Sequence, residues 1–323
     1  MNQDIHIERL NASHAAQIQE CFRRVYGESY ANELFYDLER LRSALDNETL
    51  CSVGAINAEG ALLGHMAMSL HPGARHTELG NTVVDPAARG AGLAWKVGAA
   101  LTAWAVEKGF QGYLHYPTTD HHIMQQQSVK RGFETGLMLG YIPAETDGQV
   151  RAAGKHLRGA ATIVFEPLAK LVHQETCFLP AQFAETVKNM AATCGIARNW
   201  VDASSVDSLP PESDVTTQIF GKRDLARLEV LRVGTDIEQR LKALAARSHA
   251  CTQVDLRLDD RGIATAVNAA LGMGFVFCGW LPGYRECDVL RLQAIDPRSD
   301  LDPDVVNPTG KHLLAELRPQ LAI

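Results

Sequence analysis

The sequence has few cysteines and none of the cysteine patterns that hold a zinc ion or a disulfide framework. Its seven cysteines are scattered, odd in number and without a Cys-x-x-Cys pair, so we expect them to be reduced core residues. Two adjacent histidines, His121 and His122, follow Asp120. Adjacent side chains point in different directions and no third ligand is spaced to join them, so we expect no metal site.

Runs of lysine and arginine are also missing, as is any apolar stretch long enough to span a membrane. The 31 basic and 38 acidic residues give a formal net charge of −7, which argues against a nucleic-acid or anionic-membrane surface. The first residues lack the basic segment and apolar core of a secretory signal. We therefore expect a cytoplasmic globular protein, a monomer or homodimer, that binds small molecules rather than nucleic acid or membrane.

What the sequence does contain is a Gly-rich turn between a predicted strand and a predicted helix. Residues 77–84 read as a strand, and apolar residues then recur at helical spacing from Leu93 to Trp104 until Gly109 ends the helix. Gly90 and Gly92 allow a sharp turn and a close backbone approach to a ligand. Because the first N–H groups of the helix lack partners and carry partial positive charge, the turn predicts a phosphate site.

The spacing of the turn excludes two common phosphate motifs. A Walker loop requires Gly-Lys-Ser/Thr, but Lys96 lies four residues beyond Gly92. A dinucleotide fingerprint requires a third glycine where this chain has Trp95. The sequence Arg89-x-x-Gly92-x-Ala94 instead resembles the Arg/Gln-x-x-Gly-x-Gly/Ala signature of the GCN5-related N-acetyltransferases, the GNAT family, in which it binds the pyrophosphate of coenzyme A.

This resemblance implies acetyl-CoA, or another acyl-CoA, as co-substrate, and no metal. By the same resemblance, the strand before the turn binds pantetheine through main-chain groups. The cofactor-binding residues that we predict are Val83, Val84, Arg89, Gly90, Ala91, Gly92, Leu93, Ala94, Gln125 and Ser128.

The order of predicted elements supports the same family. A strand, two helices, three strands, the phosphate turn, a helix, a strand, a helix and two strands fill residues 5–167, which is the GNAT order. We therefore predict an α/β fold, with a central mixed sheet flanked by helices, and a catalytic GNAT domain over residues 1–170.

A second, degenerate copy is predicted over residues 171–298, followed by a tail with a short helix over 299–323. The first copy has Gly132-Phe133 before Gly140, and the second copy repeats this pattern with Gly274-Phe275 before Gly279. In the second copy the chain passes from Val233 through Gly234 and Thr235 directly into a helix. Because the phosphate signature is missing there, we predict that this copy binds no CoA and shapes the acceptor site.

Acyl transfer from a thioester to an amine requires a group that takes the amine proton. Glu78, on the strand before the turn, is one candidate, because GNAT enzymes often carry a carboxylate or histidine there. His121 is the other candidate. The usual acid of the family is a tyrosine at the position that Ser128 occupies here, and a serine hydroxyl is a far weaker acid. Three tyrosines are alternatives: Tyr113, Tyr116 and Tyr141.

The function that these features favour is an acyl-CoA-dependent N-acyltransferase, most simply an N-acetyltransferase, acting on a small-molecule amine by direct attack. Ser128 in place of tyrosine keeps a non-catalytic acyl-CoA sensor or scaffold as an alternative. A protein or peptide N-acetyltransferase is a third possibility. The sequence does not identify the amine or the acyl length.

Overall fold

The computed structural model describes residues 5–143, 158–169, 175–204, 208–301 and 303–321. Within these ranges a single 12-stranded mixed sheet runs through both halves of the chain, beside a small two-stranded sheet. The predicted α/β class is confirmed. The predicted domain boundary at residue 170 lies outside the described residues.

The first half follows the predicted order of strands and helices. Its elements are β1 (His6–Leu10), α1 (Ala15–Tyr26), α2 (Leu38–Asp46), β2 (Leu50–Ile56), β3 (Leu62–Ser69), β4 (His76–Val84), α3 (Leu93–Glu107), β5 (Gly112–His115), α4 (His122–Ser128), β6 (Phe133–Ile142) and β7 (Gly159–Pro167). A helix predicted over 33–45 is divided, because Asp37 has extended backbone and its carboxylate caps α2 through the N–H of Arg40 at 3.0 Å.

The second half adds seven strands and four helices to the described part of the chain. Its elements are β8 (Thr176–Pro180), α5 (Ala184–Thr193), β9 (Asn199–Ala203), β10 (Asp214–Phe220), β11 (Leu225–Arg232), α6 (Ile237–Ala245), β12 (Cys251–Arg257), α7 (Ile263–Gly272), β13 (Val276–Leu281), β14 (Val289–Ile295) and α8 (Pro308–Leu321).

The two halves repeat one strand arrangement. In the first half β4 lies parallel to β5, and β7 is inserted between β5 and β6. In the second half β11 lies parallel to β12, and β14 is inserted between β12 and β13. The halves join where β6 and β13 pair antiparallel at Gly136 and Gly279. A Cβ atom on Gly136 would collide with the carbonyl of Cys278, so the junction requires glycine.

The C-terminal tail returns to the first half and fixes it to the second. The buried carboxylate of Glu134 on β6 accepts hydrogen bonds from the Asn307 side chain at 3.0 Å and from the N–H of Gly310 at 2.8 Å. Helix α8 then packs on β6 and β13 together. All seven cysteines are buried and unpaired, as predicted. No helix of the described ranges has the length and apolar character needed to cross a bilayer.

Three buried histidines make the stability of the fold depend on pH. His65 bonds the Asn81 carbonyl and the Ser52 hydroxyl, and burial lowers the pKa of His65 to about 4. Burial likewise lowers the pKa of His76 and of His115 to about 4. In the unfolded chain these imidazoles take up protons near pH 6.5. The stability they support is therefore complete above pH 6.5 and is lost as the pH falls toward 4.

We expect the free energy of unfolding to fall by about 1.4 kcal/mol per pH unit for each of these histidines between pH 6.5 and 4. Urea unfolding at pH 7.5, 6 and 5 measures this slope. His65→Gln should make the slope shallower, whereas His312→Gln, at a side chain that is 73% exposed, should leave it unchanged. Equal slopes in wild type and His65→Gln would contradict the assignment of His65.

Candidate active site

The predicted phosphate turn forms directly after β4 and is anchored to α1. Asp85 follows Val84, and its Oδ1 accepts a hydrogen bond from the N–H of Ala87 at 3.0 Å. Arg24 on α1 donates through Nε to Asp85 Oδ2 at 2.9 Å and through Nη2 to the Leu62 carbonyl at 2.6 Å. The turn is therefore held in place by an ion pair and by the neighbouring strand.

The backbone of the turn exposes several N–H groups. Gly90 and Gly92 have φ angles of 82° and 69°, in the left-handed region that favours glycine, and a Cβ on either would meet no atom within 4 Å. The first helical hydrogen bond of α3 runs from the N–H of Lys96 to the carbonyl of Gly92 at 3.1 Å. In the described part of the chain, the N–H groups of Gly90, Gly92, Leu93 and Ala94 have no protein acceptor. They form an anion-binding end of a helix.

The six predicted residues of the turn lie together, but in different roles. Arg89, Ala91 and Ala94 are exposed beside the two glycines. Leu93 is 1% exposed and packs into the core beneath α3, so only its main chain faces the turn.

Beyond the turn, β4 and β5 separate and leave a cleft. The two strands pair only as far as Leu79 and His115. Val83 and Val84 lie past this point and pair with β3 alone, Val83 opposite His65. The main-chain groups of β4 on the β5 side therefore have no partner strand here, and such an edge can bind an extended ligand chain.

A bulge in β4 opens this cleft. Asn81 has a φ angle of +53°, and the register of β4 against β3 shifts between His65 and Ala67. The Asn81 side-chain oxygen accepts hydrogen bonds from the Tyr30 hydroxyl at 3.2 Å and from the Asn32 amide at 3.0 Å. Asn81 was not predicted as a site residue, although Gly-Asn in the middle of a strand is a signal for a bulge.

Glu78 on β4 is held by residues from both halves. Its Oε1 lies 3.5 Å from Nε2 of His71, and the ring of Tyr284 in the second half lies 5.4 Å from the His71 ring. Burial raises the pKa of Glu78, but the neighbouring His71 and Tyr284 side chains and the charge of Arg227 together hold this pKa well below its usual range. Glu78 is therefore a stable anion at neutral pH.

His71 was missed by the sequence analysis and completes a pair with Glu78. Its Nε2 is buried and faces the carboxylate, whereas its Nδ1 is not buried and has no hydrogen-bond partner in the ranges that the structure covers. The His71 side chain is 22% exposed and that of Glu78 is 21% exposed, so solvent reaches both. The pair places an imidazole beside a fixed negative charge.

The second half presents a polar sheet face next to this pair. On β11, β12 and β14, polar side chains alternate with core residues such as Leu228, Val254 and Leu292. Six polar residues form this face, and none is more than 12% exposed. They are Arg227, Glu229, Gln253, Asp255, Arg291 and Gln293. We call them, with His71, Glu78 and Tyr284, the polar cluster. Buried arginines on central strands are rare without a functional or structural reason.

The second half also reaches across to the α1–α2 connection. Lys222, in the β10–β11 turn, donates to the Glu28 carbonyl at 2.7 Å and lies 4.2 Å above the ring of Tyr36. The β10–β11 turn of the second half therefore packs against the first half as well.

Two other predicted residues, Gln125 and His121, already form hydrogen bonds within the protein. Gln125 is fully buried, and its amide bonds the carbonyls of Thr119 and Asp304 and the N–H of Val306. It fixes the tail to α4, so we withdraw it from the cofactor site. His121 caps α4 by accepting a hydrogen bond from the N–H of Met124 at 3.2 Å. That bond uses the lone pair of Nδ1 that a base would need.

Ser128 and the alternative tyrosines differ in their surroundings. The Ser128 hydroxyl is buried without a partner among the described residues. Burial and the Glu166 carboxylate raise the pKa of Tyr113, and the Arg223 guanidinium lies 4.2 Å above the ring of Tyr141. Tyr116 directly follows β5 where the strands separate, and its buried hydroxyl also has no partner in the described part. Of the three alternative tyrosines, Tyr116 is therefore the one that lies where the cleft begins.

The equivalent turn of the second half is closed by the protein itself. The N–H groups of Val233 and Gly234 donate to the Asp260 carboxylate at 2.7 Å and to the Ser213 hydroxyl at 2.8 Å. The N–H of Thr235 donates to the Pro210 carbonyl at 2.9 Å. A Cβ on Gly234 would collide with the main chain of 212–213. Segment 210–213 thus occupies the space that a phosphate requires.

Within the described ranges, no group of three or more histidine, cysteine, aspartate or glutamate side chains is arranged to hold a metal ion.

Comparison with known proteins assigns the first half to a family. The sequence profile of the Acetyltransferase (GNAT) family matches residues 15–132, which include β4, the phosphate turn and α3. Residues 15–132 therefore belong to a GNAT acetyltransferase domain. No curated protein sequence matches the chain.

Solved structures of GNAT proteins resemble about half of the chain. The ribosomal-protein-S18-alanine N-acetyltransferase from Escherichia coli is 15% identical over 52% of this chain and 97% of its own, with a TM-score of 0.42. The PaiA N-acetyltransferase from Thermoplasma acidophilum, solved with coenzyme A, is 16% identical over 51% and 99%, with a TM-score of 0.36. The phosphinothricin acetyltransferase from Sinorhizobium meliloti, solved with AcCoA, is 17% identical over 51% and 89%, with a TM-score of 0.40.

Proposed function

We propose that the protein is an acyl-CoA-dependent N-acyltransferase that transfers an acetyl group to the amine of a small molecule. The observation that carries this proposal is the combination of an open phosphate turn, a separated β4–β5 cleft and a histidine–carboxylate pair, all arranged around β4 of a GNAT domain. The second half is proposed to be a degenerate GNAT-like domain, as the repeated strand order supports.

The co-substrate would be held mainly by main-chain groups. The pyrophosphate binds the N–H groups of Gly90, Gly92 and Ala94, with Arg89 beside them. The pantetheine arm adds as an extended chain to the open edge of β4 at Val83 and Val84. This arrangement leaves the thioester near the bulge at Asn81, on the strand that carries Glu78.

In the reaction, the nitrogen lone pair of the neutral amine attacks the thioester carbonyl carbon and forms a C–N bond. The C–S bond then breaks, and the departing CoA thiolate takes up the proton that the acylated nitrogen releases, directly or through water. An amine that arrives charged must first lose a proton. His71 accepts this proton on Nδ1, directly or through water, while Glu78 stabilises the resulting imidazolium. Glu78 thus acts through His71, and His121 is not the base.

Ser128 also favours a second function, a non-catalytic acyl-CoA sensor. It stands where a stronger acid is usual, and its hydroxyl contributes at most a weak hydrogen bond to the sulfur. A free-thiol assay with acetyl-CoA and a panel of amines decides between the two. We expect at least one amine to release CoA in step with formation of its N-acetyl product, and tight acetyl-CoA binding without any acyl transfer would favour the sensor.

We expect the chain to bind one CoA. The turn in the first half has open N–H groups, whereas the turn at Val233 to Thr235 is filled by residues 210–213. Isothermal titration calorimetry should give a stoichiometry of one, and Thr235→Ala should leave the affinity unchanged. A second binding event, or nucleotide density beside Thr235 in crystals soaked with CoA, would refute this asymmetry.

A further inference from the structure

Arg227 is a buried cation without a carboxylate of its own. It lies on β11, is 7% exposed, and stacks 5.2 Å from the ring of Phe220. Its Nε and Nη2 donate to a single neutral acceptor, Oε1 of Gln253, at 3.0 and 2.8 Å. The third nitrogen, Nη1, has no hydrogen-bond partner among the described residues. Burying a guanidinium against a neutral amide is costly unless a further anion is present.

The carboxylates near Arg227 are already engaged. Asp255 binds Arg291 through both oxygens, at 2.6 and 2.7 Å, and its nearest oxygen is 4.0 Å from Arg227. Glu229 forms an ion pair with Arg285. Glu78, whose pKa the charge of Arg227 helps to lower, faces His71. Among the described residues, Arg227 is therefore the arginine of the polar cluster that has no carboxylate within hydrogen-bond distance.

Arg227 is connected to the proposed proton acceptor by a short series of contacts. Arg227 and Arg291 share Asp255, and the Arg291 guanidinium lies 5.3 Å from the ring of Tyr284. The Tyr284 ring in turn lies 5.4 Å from the ring of His71, which faces Glu78. A cation and a proton acceptor thus belong to one polar region. A small molecule with an amine at one end and an anionic group at the other matches both.

We propose that the acceptor is an amine that also carries a carboxylate, such as an amino acid, and that Arg227 binds the carboxylate. This inference rests on the proposed acyl transfer. The planar guanidinium suits a carboxylate, because two parallel N–H groups can bind its two oxygens. The site then orients the amine toward His71 and discriminates against amines without the anion, whose binding would leave Arg227 unpaired.

The test uses pairs of amines that differ only in the carboxylate, for example lysine with cadaverine and γ-aminobutyrate with propylamine, assayed with acetyl-CoA. We expect wild-type kcat/KM to favour the carboxylate member of the best pair by at least about 100-fold. Arg227→Gln should lower kcat/KM for that member to near the value of its partner. It should lower the value for the partner amine far less and leave the Kd for acetyl-CoA unchanged.

A matched control is Arg232→Gln, on the same strand but exposed, which should retain the preference. The unchanged Kd for acetyl-CoA also reports that Arg227→Gln is folded. The wild-type comparison needs no variant, so the proposal can be tested even if Arg227→Gln unfolds. Equal kcat/KM values for both members of each pair would refute the proposed recognition of a carboxylate but not the proposed acyl transfer. Acetyl-CoA binding without transfer to any amine would overturn the enzyme itself.

Discussion

Replacing Gly92 with valine is expected to raise the Kd for acetyl-CoA by about 100-fold or more. The φ angle of 69° at Gly92 places a new side chain in open space, where the pyrophosphate is proposed to lie. Loss of two charge-assisted hydrogen bonds, each contributing about 1.5–3 kcal/mol, accounts for this change. Calorimetry with acetyl-CoA on the purified variant measures it.

The matched control for Gly92→Val is Gly109→Val, at the other end of α3. Gly109 has a φ angle of 82°, and a Cβ added there would likewise meet no atom within 4 Å. Both variants therefore suffer the same backbone strain of about 1–2 kcal/mol, and thermal unfolding should show similar losses. Only Gly92→Val should lose the cofactor. Unchanged acetyl-CoA affinity in a folded Gly92→Val protein would place the phosphate elsewhere.

The second large effect is expected at the histidine–carboxylate pair. His71→Ala and Glu78→Gln should each lower kcat/KM by about 100- to 10,000-fold, which is the range for loss of general-base catalysis. Both should bind acetyl-CoA with unchanged affinity. Assays above the pKa of the amine should partly restore both variants, because the amine then arrives without its proton.

Three further variants show whether the effect belongs to this pair. Glu166→Gln removes a buried carboxylate on β7, paired with Arg131 at 2.8 Å, and should leave the pH dependence unchanged. Ser128→Ala should cost less than about tenfold, since it removes one weak hydrogen bond of about 1 kcal/mol. Full activity in both His71→Ala and Glu78→Gln, together with loss of activity in His121→Ala at unchanged acetyl-CoA affinity, would make His121 the base.

The phosphate turn could be predicted from sequence because its requirements are local. Gly90 and Gly92 mark the left-handed positions, and the change from strand to helix periodicity around them places free N–H groups at one point. The same is true of the strand order, since each element carries its own periodicity. The division of the helix predicted over 33–45 was missed because Asp37 was interpreted as a helix residue rather than a cap.

The proton acceptor and the acceptor site could not be predicted as fully, because they depend on contacts between distant segments. Tyr284 in the second half meets Glu78 in the first, and nothing in the loop around His71 indicates that it faces β4. The alternation of Arg227, Glu229 and their neighbours on β12 and β14 is visible in the sequence, but such a pattern normally indicates a face in water. Only the structure shows that this face is buried against the first half.

Because β6 pairs with β13, the sheet of the first half depends on a strand of the second half. A fragment that ended after β7 would expose the free edge of β6 around Gly136, with the apolar residues that now pack beneath it. Unpaired edges of this kind recruit strands from other molecules. A chain shortened before β13 would therefore lose Tyr284 and the strand that pairs with β6 at once. Selection against aggregation alone would then retain the second half, whatever it contributes to the proposed reaction.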